Sequence, residues 1–382
     1  MMRRGRSELF RLFTLIHENP RWRPIVIVVL FPLFLFSIVF RFIAVMRAFF
    51  YRVGFFKSER LPAYVVSVGN LTTGGSGKTP VVIHLARMFV NAGISVAIIS
   101  RGYGFKVEGD YLVVSDREGV RCSPGEAPDE ALMTANSLNR VPVIVGPNRV
   151  RSGKAAAELF DVNVIIMDDG YQHLKVKRDM NILVIDGENP FGNGLMLPAG
   201  PLREPLRASR RADVVWINSK SQQSNIDTTG LMERLKRYLG EEIPVVKSAL
   251  LPERVLGFTG ETLSKDVLYK KRVLAFSGIQ RPDAFFSVLK DLGTIIVYEL
   301  PFSDHYLFAD NDFKVIERMA FLYNAEMLVT TEKDLARISR DVKLRLPLYA
   351  LVMSLAATGD RAILNMVNLV VNGLGTDKKQ KR

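Results

Sequence analysis

Val68-Gly69-Asn70-Leu71-Thr72-Thr73-Gly74-Gly75-Ser76-Gly77-Lys78-Thr79-Pro80 is the stretch on which the fold turns. An apolar run, residues 63–69, leads into it, and an amphipathic pattern, residues 78–92, leads out. This is the strand–loop–helix context of a phosphate-binding loop. Glycines at 74, 75 and 77 let backbone N–H groups close around phosphate oxygens, and the helix N-terminus adds partial positive charge. The pattern assigns Thr72, Thr73, Gly74, Gly75, Ser76, Gly77, Lys78 and Thr79 to nucleotide binding. Lys78 would reach the β- and γ-phosphates and the Thr79 hydroxyl would sit on Mg²⁺. One position departs from G-x-x-x-x-G-K-[ST]: Thr72 stands where glycine is usual. The loop also resembles K-G-G-x-G-K-T of membrane-cycling dimeric ATPases, but their signature lysine is replaced by Thr73.

Outward from the loop, short apolar runs at 95–100, 142–146, 163–168, 181–186 and 213–218 alternate with helical patterns near 129–138 and 150–160. Strands apolar throughout and separated by helices predict a parallel sheet covered on both faces. After the polar stretch 219–230, strands at 272–277, 294–299 and 327–331 and helices near 282–292, 310–323 and 358–371 predict a second, smaller α/β unit. The expected organisation is a basic, apolar membrane-association segment (1–60), a phosphate-loop core (61–250) and a C-terminal α/β domain (251–382).

The 382 residues are 48% hydrophobic and 24% charged, a globular balance that excludes a disordered or collagen-like chain. A single cysteine, Cys122, cannot form an internal disulfide, and four histidines make a Cys/His zinc site an unpromising reading. Of the net charge of +13, residues 1–60 carry +8, with 11 Lys/Arg against three Glu. Beside an apolar run this points to anionic lipid rather than nucleic acid. That run, Ile25 to Phe40, has 16 uncharged residues. As a helix it would be about 24 Å long, short of the roughly 30 Å of a bilayer core. A spanning helix, a bent or shallow insertion with Pro32 at the bend, and a buried soluble helix all remain open.

Met167-Asp168-Asp169-Gly170-Tyr171-Gln172-His173 closes the run 163–168. An acid at the tip of a parallel strand beside a phosphate loop is where Mg²⁺ is held, so Asp168 and Asp169 join Thr79 as candidate metal ligands. Asp129-Glu130 opens a helix, where carboxylates also serve as simple dipole partners. Arg149, Asp304-His305 and Thr331-Glu332-Lys333-Asp334 are each weak signals alone.

In order, GNLTTGGSGKTP, SRGYG (100–104), Asp129-Glu130, Arg149, DDGYQH (168–173), DG…FGNG (186–194), LPAGPLRE (197–204), Asp304-His305 and TEKD (331–334) resemble the tetraacyldisaccharide 4′-kinase family of lipid A synthesis, from about residue 33 to about residue 355. The resemblance implies transfer of the ATP γ-phosphate to the 4′-hydroxyl of a tetraacylated glucosamine disaccharide 1-phosphate. It implies ATP and Mg²⁺ as cofactors and two α/β/α domains joined by a two-stranded linker. It also implies catalytic domains on the cytoplasmic face of the inner membrane of a Gram-negative bacterium. An acylated disaccharide lipid and the membrane surface are the implied partners, with no nucleic acid and no obligate protein partner. By motif, Asp129 and His305 are the pair that activates the hydroxyl, and Arg149 faces phosphate charge. The family's G-D-E-P is here Pro128-Asp129-Glu130-Ala131. Two rivals stand against this reading: a membrane-bound phosphate-loop ATPase or nucleotide switch without a lipid acceptor, and a non-catalytic lipid-binding protein on a relic nucleotide fold.

Overall fold

The computed structural model describes residues 23–138, 140–219, 228–239, 243–279, 282–304, 306–339, 341–365 and 367–368. Its centre is β1 (Tyr64–Gly69), buried at every position. It pairs in parallel with β5 (Val164–Asp168) on one side and β6 (Met180–Asp186) on the other. Beyond β5 lie β2 (Val96–Ser100) and β4 (Val143–Val145), both parallel, and then the antiparallel edge strand β3 (Leu112–Ser115). Beyond β6 lie β7 (Val214–Ser219) and the long β8 (Val245–Gly257).

Side chains alternate across this sheet. Val66 and Val68 join the core under α2 (Lys78–Asn91) and α3 (Asp129–Ser137). Val65 joins the core on the opposite face under α4 (Arg149–Phe160). Two covered faces explain why the strands read as unbroken apolar runs.

The sheet does not end at β8. It continues through β13 (Leu348–Thr358), β12 (Met327–Thr331), β10 (Arg272–Ser277) and β11 (Ile295–Pro301), giving 13 strands among the described residues with the short β9 (Thr262–Ser264) on β8. The second half repeats the layering. Phe285, Phe286 and Leu289 of α6 (Pro282–Asp291) cover one face, and Phe313, Ile316 and Ala320 of α7 (Asp310–Leu322) cover the other. The two parallel halves meet at the antiparallel pair β8–β13. Neither strand is apparent from the apolar pattern. β8 carries Lys247, Pro252, Glu253 and Arg254, and Pro252 sits at a register shift opposite Met353, the kind of bulge that admits proline. The helix expected at 358–371 starts later: β13 runs to Thr358 and residues 361–365 are helical.

The N-terminal helix extends well past the apolar run, along the helical pattern that follows it. α1 runs from Arg23 to Arg52, straight through Pro32, so the helix is nearly twice the length of the apolar run. Residues 31–52 alone are long and apolar enough to cross a membrane. The buried-helix reading fails. Phe34, Phe36, Ile38, Val39, Phe42 and Val45 are exposed, and only a narrow stripe touches the body. There the Ser37 hydroxyl donates to Met196 O (2.9 Å) and Ala44 packs on the cluster of Leu71, Phe191, Met196 and Leu202.

Candidate active site

The phosphate loop leaves the C-terminal end of β1 with Val68 in register with Asp168 of β5. The close approach explains Gly69: a Cβ there would lie 2.7 Å from the backbone N of Tyr171. Gly77 caps α2 at φ +75°, and a Cβ would lie 2.6 Å from Asn218 Nδ2. From β7 that amide donates to Ser76 O (2.7 Å) and Gly77 O (3.2 Å). Asn218 is held in turn by Ser248 of β8, whose hydroxyl donates to its Oδ1 and accepts from Trp216 Nε1. On the other flank the 197–204 segment braces the loop through Thr73 N to Pro201 O and Arg203 N to Leu71 O, both 2.7 Å. Asn70 donates to Ser76 Oγ (2.9 Å) and accepts from Lys78 Nζ (3.3 Å). The loop is thus braced by β7, by the 197–204 segment and by Asn70.

Thr79 Oγ1 donates to Asp168 Oδ2 at 3.4 Å. Asp168 is buried, and its Oδ1 has no hydrogen-bond partner among the described residues. Burial, with Asp169 and Glu130 nearby, pushes its carboxyl up to about 6. Asp169 differs although it is adjacent. Burial alone would raise it, but Lys78 (3.6 Å) and Arg203, whose Nη1 donates to both carboxylate oxygens (2.9 and 3.1 Å), hold it below its ordinary value. Arg149, 3% exposed, donates to Asp168 O (3.2 Å) and leaves Nε unbonded among the described residues. Desolvation brings its guanidinium down to about 10, leaving it charged at neutral pH. His173 is half-buried with an unbonded Nε2, and burial, together with Arg149 and Arg47, lowers it to about 4.

These features fit Mg²⁺. Thr79 and Asp168 stand together at the loop, and an orphaned carboxylate oxygen is available. No cage of three or more His, Cys, Asp or Glu forms among the described residues, and a Mg²⁺ that binds with phosphate needs none, since it keeps waters and takes one or two carboxylates.

Asp129 and Glu130 open α3 on the far side of the cleft and meet the second half of the chain. Arg337 Nε donates to Asp129 Oδ2 (2.7 Å), and Lys333 lies 3.6 Å from Glu130. Asp304 lines the same cleft. His305, expected beside it, lies outside the described residues. The cleft has a volume of about 1390 Å³. It gathers residues 73–79, Arg101, Asp129, Arg149, Asp168, Asp169 and Lys333, and one wall is α1 itself, through Phe40, Ile43, Ala44 and Arg47.

Five residues here are given no role by the sequence reading above: Asn70, Asn218, Arg203, Arg337 and Arg47. Asn70 and Arg203 lie inside quoted motifs. The other three are brought in by strand order and helix docking, which spacing along the chain does not encode.

Comparison with known proteins gives the family. Residues 29–370 match the family described as tetraacyldisaccharide-1-P 4′-kinase. A tetraacyldisaccharide 4′-kinase from Syntrophus aciditrophicus is 39% identical over 318 residues, covering 82% of this chain and 85% of its own. One from Pelobacter propionicus is 41% identical over 302 residues, covering 78% and 80%. Among solved structures, LpxK from Aquifex aeolicus, described as an "apo" form in complex with ATP, superposes with a TM-score of 0.72 at 31% identity. That match covers 90% of this chain and 98% of the other. By sequence along most of its length and by fold, the chain belongs to the tetraacyldisaccharide-1-P 4′-kinase family.

Proposed function

We propose that this chain transfers the γ-phosphate of ATP to the 4′-hydroxyl of a tetraacyldisaccharide 1-phosphate, at the cytoplasmic face of the inner membrane of a Gram-negative bacterium. The observation that carries the reading is one cleft lined at once by the phosphate loop, by Asp129 across from it, and by apolar side chains of an exposed helix. Its volume of about 1390 Å³ exceeds the roughly 300–1,000 Å³ of a site for one small ligand, which suits two substrates.

Backbone N–H groups of 74–77 and the α2 N-terminus take the β- and γ-phosphates, with Lys78 as a point charge on them. Thr79 and Asp168 would hold Mg²⁺, which when bound neutralises charge on the transferring group. Asp169 keeps Lys78 and Arg203 in place through its ion pairs. Arg149 supplies a fixed positive charge at the rear of the site. The acceptor oxygen attacks phosphorus as the bond to the β-phosphate oxygen breaks. ADP leaves, and the hydroxyl proton passes to Asp129, with His305 as its partner by family resemblance. A sugar hydroxyl is too weak an acid to ionise first, so the proton moves as transfer proceeds.

α1 delivers the lipid. Because Ser37 and Ala44 are docked on the body, a bilayer meets the outer face of this half of the helix, which supports shallow insertion over a straight span. Labelled γ-phosphate with a tetraacyldisaccharide 1-phosphate in detergent should yield labelled lipid. ATP hydrolysis without labelled lipid would replace this reading with an ATPase or switch. Labelling a cysteine placed at Ser7 from outside intact spheroplasts would show a span and end the shallow-insertion reading.

A further inference from the structure

We infer that Arg337 is a positioning residue for the transfer, fixing the Asp129 carboxylate from the opposite half of the sheet, and that Thr331–Asp334 is the mount that holds it. This rests on Asp129 as the proton acceptor.

The Arg337 side chain has no exposed surface. Its Nη1 donates to Asp334 Oδ1 and to Gly278 O, both at 3.1 Å. Asp334, also fully buried, is itself fixed. Thr331 Oγ1 (2.7 Å), Ser277 Oγ (3.1 Å) and Gly278 N (3.1 Å) all donate to its Oδ2. This explains the TEKD motif: Thr331 caps α8 (Glu332–Leu335), and Asp334 receives that cap's hydroxyl and the guanidinium together.

A buried cation needs compensation, and Asp334, three residues away, already supplies it. The Nε–H goes to a carboxylate 208 residues distant, on the first turn of α3. A guanidinium is planar and its donors diverge at fixed angles, so one anchored at Nη1 holds a carboxylate on Nε in a defined orientation. Lys333 makes a second tie of the same sense, to Glu130. The two adjacent acids at the cleft thus meet two cations mounted on the second half of the chain. Arg337 thus ties Asp129 to the second half of the chain.

The test uses the full-length protein and the labelled-lipid assay. Asp129→Asn comes first: wild-type kcat there would remove the proton-acceptor reading, and this inference with it. With Asp129→Asn impaired, Arg337→Gln and Arg337→Lys should each lower kcat by about tenfold or more, part of the range assigned to a positioned base. KM for both substrates and ATP affinity should stay within about twofold, since Asp129, Gly278 and Asp334, which Arg337 bonds among the described residues, belong neither to the loop nor to α1. Arg337→Lys keeps the charge that Asp334 requires and should melt with the wild type, so its lost kcat is not lost folding. In the Asp129→Asn background, Arg337→Lys should cost less than about twofold more, as expected of residues acting through one group. Wild-type kcat in Arg337→Lys, or losses that multiply in the double variant, would overturn the assignment.

Discussion

Asp168→Asn should give a protein that is inactive yet harder to unfold. The carboxyl of Asp168 rises from an ordinary 3.8 to about 6, chiefly through burial. By linkage, holding it ionised at pH 8 costs the folded state about 3 kcal/mol. The sign follows from proton binding: between pH 4 and 6 the folded chain binds the proton more tightly than the unfolded chain. Stability therefore falls as pH rises through that window and stays reduced above it. Asparagine removes the charge and can still accept from Thr79. Its amide, placed at the unbonded Oδ1 position, returns about 1 kcal/mol of that gain as an unsatisfied donor. The net gain is about 2 kcal/mol. At an unfolding entropy of about 2.1 cal/mol/K per residue over this length, that is a melting temperature about 2–3 °C higher. Thermal melts at pH 8 in chelator without nucleotide should show the difference, and melts at pH 4.5, where the charge cost falls to about 1 kcal/mol and only offsets the amide, should show almost none. Kinase activity in Mg²⁺ should fall by two or more orders of magnitude. A variant less stable than wild type at pH 8, or a gain that ignores pH, would refute the account of a destabilising buried carboxylate poised for a metal.

Lys78→Ala should abolish lipid phosphorylation while circular dichroism and melting stay near wild type, because its partners Asn70 and Asp169 keep other bonds. Gly69→Ala should lower stability by about 1–3 kcal/mol in urea titration, since a Cβ 2.7 Å from the Tyr171 backbone forces the strand end apart. His173, half-buried, neutral and lowered to about 4, takes up a proton on unfolding below about pH 6.5, so the protein loses stability as pH falls from there. His173→Gln should flatten that acid limb in pH-resolved melts. Replacing the exposed Phe34, Phe36 and Phe42 by Ser should shift the protein from vesicles to the supernatant in flotation. ATP affinity should not change, because none of the three lines the cleft.

The sequence makes the core strands and the phosphate loop readable because their rules are local: apolar runs, a glycine set and a helix start within about a dozen residues. Asp168, Thr79 and Lys78 follow from the same local grammar. What escapes it is long-range. β8 and β13 are half-exposed and antiparallel, and the bulge at Pro252 blurs any period. Asn218 reaches the loop because β7 lies two strands from β1, and Arg337 reaches Asp129 because the halves share one sheet. Arg41 and Arg47 end the apolar run but not the helical pattern, which continues past them in the sequence as α1 does in the structure.

Phe40 and Ile43 belong both to the outward surface of α1 and to the wall of the cleft. With α1 inserted as proposed above, the doorway to the site would open on the hydrocarbon side, and the acceptor would be drawn from a two-dimensional solution. The concentration that sets the rate is the acceptor's mole fraction in the bilayer or micelle, not its amount per litre. Adding inert detergent at fixed total lipid slows such an enzyme by dilution within the surface, with no inhibitor bound.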